Sequence, residues 1–383
     1  MKTRYAFLDV YRGLIVLLMI EGHAVREFLY PALQTSGAFQ FHEFIHGVTG
    51  PGFLFGAGIT FGISVQNRWG EFLSLTSVSF RRFRKIVLLL LLGYALHLPF
   101  LSLHKMLHAS TQEQLLRLYS FDVLQCIGFT LLIVHLGIFI VRKQHWFPGV
   151  LPIATTVVLI ASPFLWMADL SSFPSAVSTA FQGTLGSVYP LFPYSAFLFA
   201  GAFASYEFMK FAESGRESIF VKRLALGGIA LTAGGAVLLA ATNESARGPE
   251  FWNSDPTVMV VKLGSLFLLV SGAWTLEKVL GSFRGSKSLQ WIILLGIESL
   301  FVYVLHLVLL YGSVLNADSH LSALWKGRFD WVYALLISIA FTAFLAVTAW
   351  MWNKVKTSHP AVFRMIVWWM AAVFGYEFLT RPY

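Results

Sequence analysis

The chain has 383 residues, 57% of them hydrophobic and 12% charged, with a mean hydropathy of +0.69 and a formal net charge of +9. Soluble domains carry about 25% charged residues, so this composition excludes a soluble globular enzyme and predicts an all-α, polytopic integral membrane protein. The basic residues sit in short loops between apolar runs, as positive-inside topology requires, and make no case for a nucleic-acid partner.

Lys2 and Arg4 precede an apolar run, as in a signal peptide, but Asp9, Arg12 and Glu21 interrupt it. Tyr30-Pro31 is also no small-residue cleavage site, so the sequence predicts a retained signal-anchor with the N-terminus cytoplasmic. Roughly eleven segments (10–11) are long enough to span a bilayer. They are predicted at 10–30, 44–65, 86–103, 121–141, 148–168, 189–209, 224–242, 257–276, 289–312, 331–352 and 361–379. Every inner loop then carries the larger share of Lys and Arg, which favours an odd span count and an extracytoplasmic C-terminus. The loops are too short for a soluble domain, and no internal repeat is evident, so residues 1–383 read as a single transmembrane domain.

The first span is unusual for its polar content. Arg12 and His23 are eleven residues apart, about three turns, so they share a face within about 20° and lie roughly 16 Å apart along the axis. Glu27 and Tyr30 extend that stripe, while Glu21 points the other way. Each charge at mid-membrane costs about 2.5–3.5 kcal/mol on insertion scales, so the seam needs partners or a water-filled cavity. Further polar groups fall towards the outer half: His42 and His46 after the first span, Asp122 and Gln125 opening the fourth, Lys262 in the eighth, and Glu298 and His306 in the ninth. At the inner mouth of the third span stand Arg81, Arg82, Arg84 and Lys85, a charge cluster able to hold phosphates or lipid headgroups. The single cysteine, Cys126, excludes a disulfide framework and a cysteine cage. His42 and His46 have helical metal-pair spacing but no cysteine lies nearby, so no metal site is predicted.

Several stretches carry a family resemblance. Leu8-Asp9-Val-Tyr-Arg12-Gly-Leu followed by Met19-Ile-Glu21-Gly-His23 resembles the opening of the transmembrane acyltransferase superfamily, whose acyltransferase-3 branch keeps the same arginine–histidine interval. Pro51-Gly-Phe-Leu-Phe-Gly-Ala-Gly58, Phe121-Asp122-Val-Leu-Gln125-Cys-Ile-Gly128, Tyr189-Pro-Leu-Phe-Pro193-Tyr and Gly296-Ile-Glu-Ser-Leu-Phe-Val-Tyr-Val-Leu-His306 are similar to the heparan-α-glucosaminide N-acetyltransferase-like branch. The resemblance implies transfer of an acyl group, acetyl first, from cytosolic acyl-CoA to a saccharide or glycan acceptor outside, in the bacterial inner membrane. It makes Arg12 and His23 the required pair. The outer-loop histidine of the lysosomal glucosaminide enzyme has no positional match, although His42 and His46 lie in the corresponding loop. That enzyme's polymer substrate is not carried over.

On this reading His23 is the general base or a transient acyl carrier, and Glu27 orients its ring. Arg12, Arg81, Arg82, Arg84 and Lys85 hold acyl-CoA. Glu21, His46, Asp122, Gln125, Glu298 and His306 support the site. The lipid bilayer, acyl-CoA and the glycan acceptor are the expected partners, and homo-oligomerisation is left open. A permease with His23, Glu21 and Glu298 as a proton relay is the rival reading.

Overall fold

The computed structural model describes residues 5–74, 76–242, 251–282 and 286–382. Lys2, Arg4, Arg247 and Arg284, which enter the loop-charge pattern, lie outside them. Among the described residues there is no strand and 81% are helical, as the composition required. The principal helices in chain order are α1 (Ala6–Phe28), α2 (Gly37–His46), α3 (Thr49–Gln66), α4 (Ser77–Leu96), α5 (Val123–Val141), α6 (Phe147–Met167) and α7 (Leu191–Glu213). They continue with α8 (Glu217–Ala241), α9 (Pro256–Ser282), α10 (Lys287–Ile297), α11 (Ser299–Tyr311), α12 (Trp331–Ser358) and α13 (Pro360–Thr380).

Among the described residues, seven helical segments are long and apolar enough to cross a membrane, or eight if the bent pair α10–α11 is one span. The chain is therefore a multi-pass membrane protein, with fewer spans identifiable by length and composition than the eleven expected. The predicted segments 10–30, 86–103 and 189–209 overlap α1, α4 and α7, helices outside that set. The segment 86–103 is also shorter than expected, because α4 stops at Leu96. The expected straight span at 289–312 is corrected too. It breaks at Glu298, and the two halves meet at 78°.

The contacts divide the chain into two compact units, each discontinuous in sequence. In the first (1–46, 95–118, 279–383), α1 packs along α10 and α12. Gly13 and Gly296 make the α1–α10 approach possible. A Cβ on Gly13 would meet the backbone of Ile292, and one on Gly296 the backbone of Asp9. Small residues at such a crossing allow helix backbones to touch inside a bilayer. Val10, Ile15, Val16 and Ile20 are fully buried around this seam. The C-terminal end of α1 is closed by an extended segment. The N–H groups of Gly327 and Arg328 donate to the Glu27 and Phe28 carbonyls at 2.9 and 3.0 Å, and Tyr30 N–H donates to the Phe329 carbonyl at 2.8 Å. Carbonyls that a helix terminus leaves unsatisfied thus find partners.

Glu298 explains the break in the same unit. Its carboxylate is 4% exposed and accepts from Asn353 Nδ2 at 2.6 Å and from Lys356 Nζ at 2.7 Å, both on α12. Turning the chain at this residue brings a carboxylate within an apolar run to two donors. Lys356→Met should destabilise the protein by about 1–3 kcal/mol, since it strips a buried charged acceptor of its counter-charge. A lowered thermal midpoint in detergent would register the loss, and Glu298→Gln should cost less.

The second unit (47–94, 119–278) is built on α3 against α7, with α5 and α6 alongside. Gly58 faces the Leu198 carbonyl and Gly201 the Phe55 carbonyl, a reciprocal small-residue contact of the same kind.

Candidate active site

The first unit gathers polar side chains along α1, and each finds a different neighbour. Arg12 is ion-paired to the buried Asp9 one turn earlier. This pairing within one helix turn meets the need of a guanidinium inside an apolar segment.

His23 meets His306 of α11, 283 positions away in sequence. The rings lie 5.2 Å apart between centroids, with planes 19° apart, and Nδ1 of His23 is 3.0 Å from Nε2 of His306. The network fixes the tautomers. Nδ1–H of His306 donates to the Val302 carbonyl at 3.2 Å, so its Nε2 carries the lone pair and accepts from Nδ1–H of His23. The lone pair of His23 is then on Nε2, the atom a base would use. His306 is fully buried, and Tyr311 sits edge-on to His23 at 5.8 Å.

Glu21 leaves α1 on a face about 200° from His23 at 100° per residue and meets α2. Its carboxylate lies 2.6 Å from Nε2 of His46 and 3.2 Å from Nε2 of His42. Gly22 admits this contact, because a Cβ there would stand 2.5 Å from the His46 ring. Nδ1–H of His46 donates to the Leu18 carbonyl at 2.8 Å. Beside this trio, Arg26 is ion-paired to Glu43.

The buried Glu27 is engaged elsewhere than expected. It accepts from the Ser322 hydroxyl and pairs with Lys326 Nζ at 3.3 Å. His306 lies at hydrogen-bond distance from the His23 ring, while Glu27, expected to orient that ring, meets Ser322 and Lys326. One turn of α1 is enough to carry its carboxylate past the ring to residues 322 and 326.

In the second unit, Asp122 and Gln125 come together as a capping box at the start of α5. Asp122 accepts from Val123 N–H at 2.7 Å, while the Gln125 side chain accepts from Asp122 N–H at 3.3 Å. Helix capping accounts for both residue types at that spacing. The basic run on α4 divides in two. Arg82 bonds the Ser64 hydroxyl and lies over the Phe72 ring at 5.2 Å, whereas Arg81, Arg84 and Lys85 are exposed. Lys262 is buried, donates to the Trp252 carbonyl at 3.2 Å and faces the Tyr194 ring at 5.9 Å.

A family model described as the catalytic region of heparan-alpha-glucosaminide N-acetyltransferase matches residues 4–234, more than half of the chain. The chain belongs to that family. Comparison with curated proteins finds no match. The N-acetyltransferase match spans Arg12, Glu21, His23, Glu27, His42, His46 and the basic run on α4, whereas Glu298 and His306 lie beyond it. Membership in this acetyltransferase family bears out the resemblance read from the motifs and implies acetyl transfer.

Sequence reasoning named His23, His306, Glu21 and His46 but not their pairings. It missed Tyr311, Ser322 and Lys326 as neighbours of the α1 stripe. The opposite azimuths of Glu21 and His23 were the available signal that two separate clusters would form.

Proposed function

We propose that this member of the N-acetyltransferase family moves an acetyl group from cytosolic acetyl-CoA to a saccharide or glycan acceptor on the extracytoplasmic side of a bacterial inner membrane. The N-terminus is cytoplasmic and the C-terminus extracytoplasmic on this reading. The observation that carries it is the His23–His306 pair, with Nδ1 of His23 held at 3.0 Å from an accepting nitrogen. An imidazole so oriented has its lone pair on Nε2, where a general base needs it.

In the reaction, Nε2 of His23 takes the proton as the acceptor's oxygen or nitrogen attacks the thioester carbonyl. The tetrahedral intermediate collapses, the carbon–sulfur bond breaks, and the imidazolium returns its proton to the departing CoA thiolate. His306 is a positioning residue that keeps the ring in the required tautomer, as a triad's third member does without itself reacting. Arg12 and the exposed Arg81, Arg84 and Lys85 are each suited to phosphate oxygens of CoA. Arg82, drawn into its own unit by Ser64 and Phe72, is the least available of these. The amino group of a glucosaminide is the first acceptor to try, with sugar hydroxyls next.

The permease reading needs Glu21, His23 and Glu298 to pass a proton among themselves. Glu21 faces His42 and His46, and Glu298 faces Asn353 and Lys356, which disfavours that relay. Labelled acetyl-CoA with purified protein in detergent tests the two. Thioester loss that depends on added sugar is the expected result. Movement of solute across proteoliposomes without thioester loss would overturn the transferase reading.

A further inference from the structure

We propose that Glu21, His42 and His46 form a binding site for a divalent transition-metal ion, zinc foremost. The three side chains offer ligand atoms that all lie within 4.8 Å of one another. Two imidazoles and one carboxylate are a set that zinc accepts, with metal–ligand distances of about 2.0–2.2 Å. Tetrahedral ligands at that radius stand roughly 3.3 Å apart. Nε2 of His42 lies 3.2 and 3.3 Å from the two Glu21 oxygens, and Nε2 of His46 lies 2.6 Å from one of them. A small opening of the second contact would admit the ion.

The Nε2 atoms of both rings face the Glu21 carboxylate. His46 spends its Nδ1–H on the Leu18 carbonyl at 2.8 Å, so in the neutral ring the Nε2 lone pair is aimed at a carboxylate oxygen. A contact of 2.6 Å holds a shared proton, and a metal ion would take that proton's place. Nδ1 of His42 is buried without a hydrogen-bond partner, and the nearest acceptor is Glu43 Oε1 at 3.7 Å. Glu43 is itself held by Arg26. A metal-ligating histidine commonly turns its remote N–H to a backbone carbonyl or a carboxylate, which fixes the ring and raises its basicity. The His46 ring has that arrangement towards Leu18, while Nδ1 of His42 stands 3.7 Å from Glu43 Oε1, beyond hydrogen-bond reach.

The surroundings favour a fixed site. His42 and His46 are four apart on α2, with ring centroids 4.1 Å apart. Phe39 stacks on His42 at 5.8 Å, and Trp331 closes the other side edge-on at 5.8 Å. Three protein ligands leave a fourth position of a tetrahedral ion for water or an exchangeable ligand. The sequence, judged by its lack of a nearby cysteine, led to an expectation of no metal; the proposal departs from it because Glu21 of α1 joins the two histidines. The site shares no side chain with the His23–His306 pair, so it stands or falls separately from the transfer reaction.

Tag-free protein in detergent, stripped with a chelator and titrated with zinc in a calorimeter, tests the site. One equivalent per chain is the expected stoichiometry, checked by elemental analysis after desalting. Cobalt in place of zinc should give the intense visible bands of a low-coordinate centre. His42→Asn, His46→Asn and Glu21→Gln should each weaken binding by at least about tenfold. Glu43→Gln keeps all three ligands and should weaken binding less than the loss of any one of them. Wild-type protein that takes up no zinc overturns the proposal, since protons on Nε2 of the two imidazoles would then account for the cluster. Zinc retained equally by a His42→Asn/His46→Asn protein overturns it as well.

Discussion

His23→Ala is expected to lower acetyl transfer by about 10²–10⁴-fold, the usual worth of a positioned general base. The change leaves the packing of α1 intact, because its buried seam is made by Val10, Ile15, Val16 and Ile20 rather than by the half-exposed imidazole. The variant should therefore elute from size exclusion as the wild type does. Full activity in it would remove His23 from the chemistry. His306→Leu should cost less, about 10–100-fold, since it removes the acceptor that holds the ring and leaves the base itself in place. His306→Gln offers a side-chain oxygen to Nδ1–H of His23 and should recover part of that loss. Recovery by glutamine would distinguish positioning from simple packing, as would a displaced pH–rate profile in the leucine variant.

Gly296→Val is expected to be the most damaging change to the fold, at about 3 kcal/mol or more. Its Cβ would fall on the Asp9 backbone, with Gly13 N only 3.0 Å away. No flexible side chain is available to give way, so α1 and α10 must separate. Separation would move Arg12, Glu21 and His23 relative to α11, where His306 is carried. Thermal stability in detergent and activity should fall together in this variant. An unchanged melting midpoint would mean that α10 is free to slide along α1. Gly296→Ala places the same Cβ there and tests the contact with the least added bulk.

Much of the helical architecture was legible because long apolar runs in a chain with so few charges have one stable form in a bilayer. The break at Glu298 was not, since a single carboxylate in an apolar run reads equally well as a mid-span charge and as a corner. What decides between them is Asn353 and Lys356, more than fifty residues onward. The short helices Leu103–Ala109, Gln112–Tyr119, Ser175–Phe181 and Leu321–Trp325 were read as loop, being too brief for a period to register. At the site, helical periodicity was enough to set Glu21 apart from His23 on α1. It was blind to which helix would arrive on each face, because His306 is supplied by packing and not by spacing. Asp122 and Gln125 were read as supporting polar groups for a different reason: a capping box and a polar site look alike until the backbone is visible.

The unit that holds the candidate base is assembled from the two ends of the chain. Residues 1–46 leave the ribosome well before His306, Tyr311, Ser322 and Lys326, which follow more than 250 positions later. At about 5–20 residues per second, that interval lasts on the order of tens of seconds. Throughout it, the nascent α1 holds His23 and Glu27 in the translocon or bilayer without the side chains that later meet them. A transcript cut short where the family likeness ends, at residue 234, would yield an inserted fragment that keeps the imidazole and lacks its helper. For this enzyme family member, biogenesis is complete only when the last third of the polypeptide has been threaded back to the first helix.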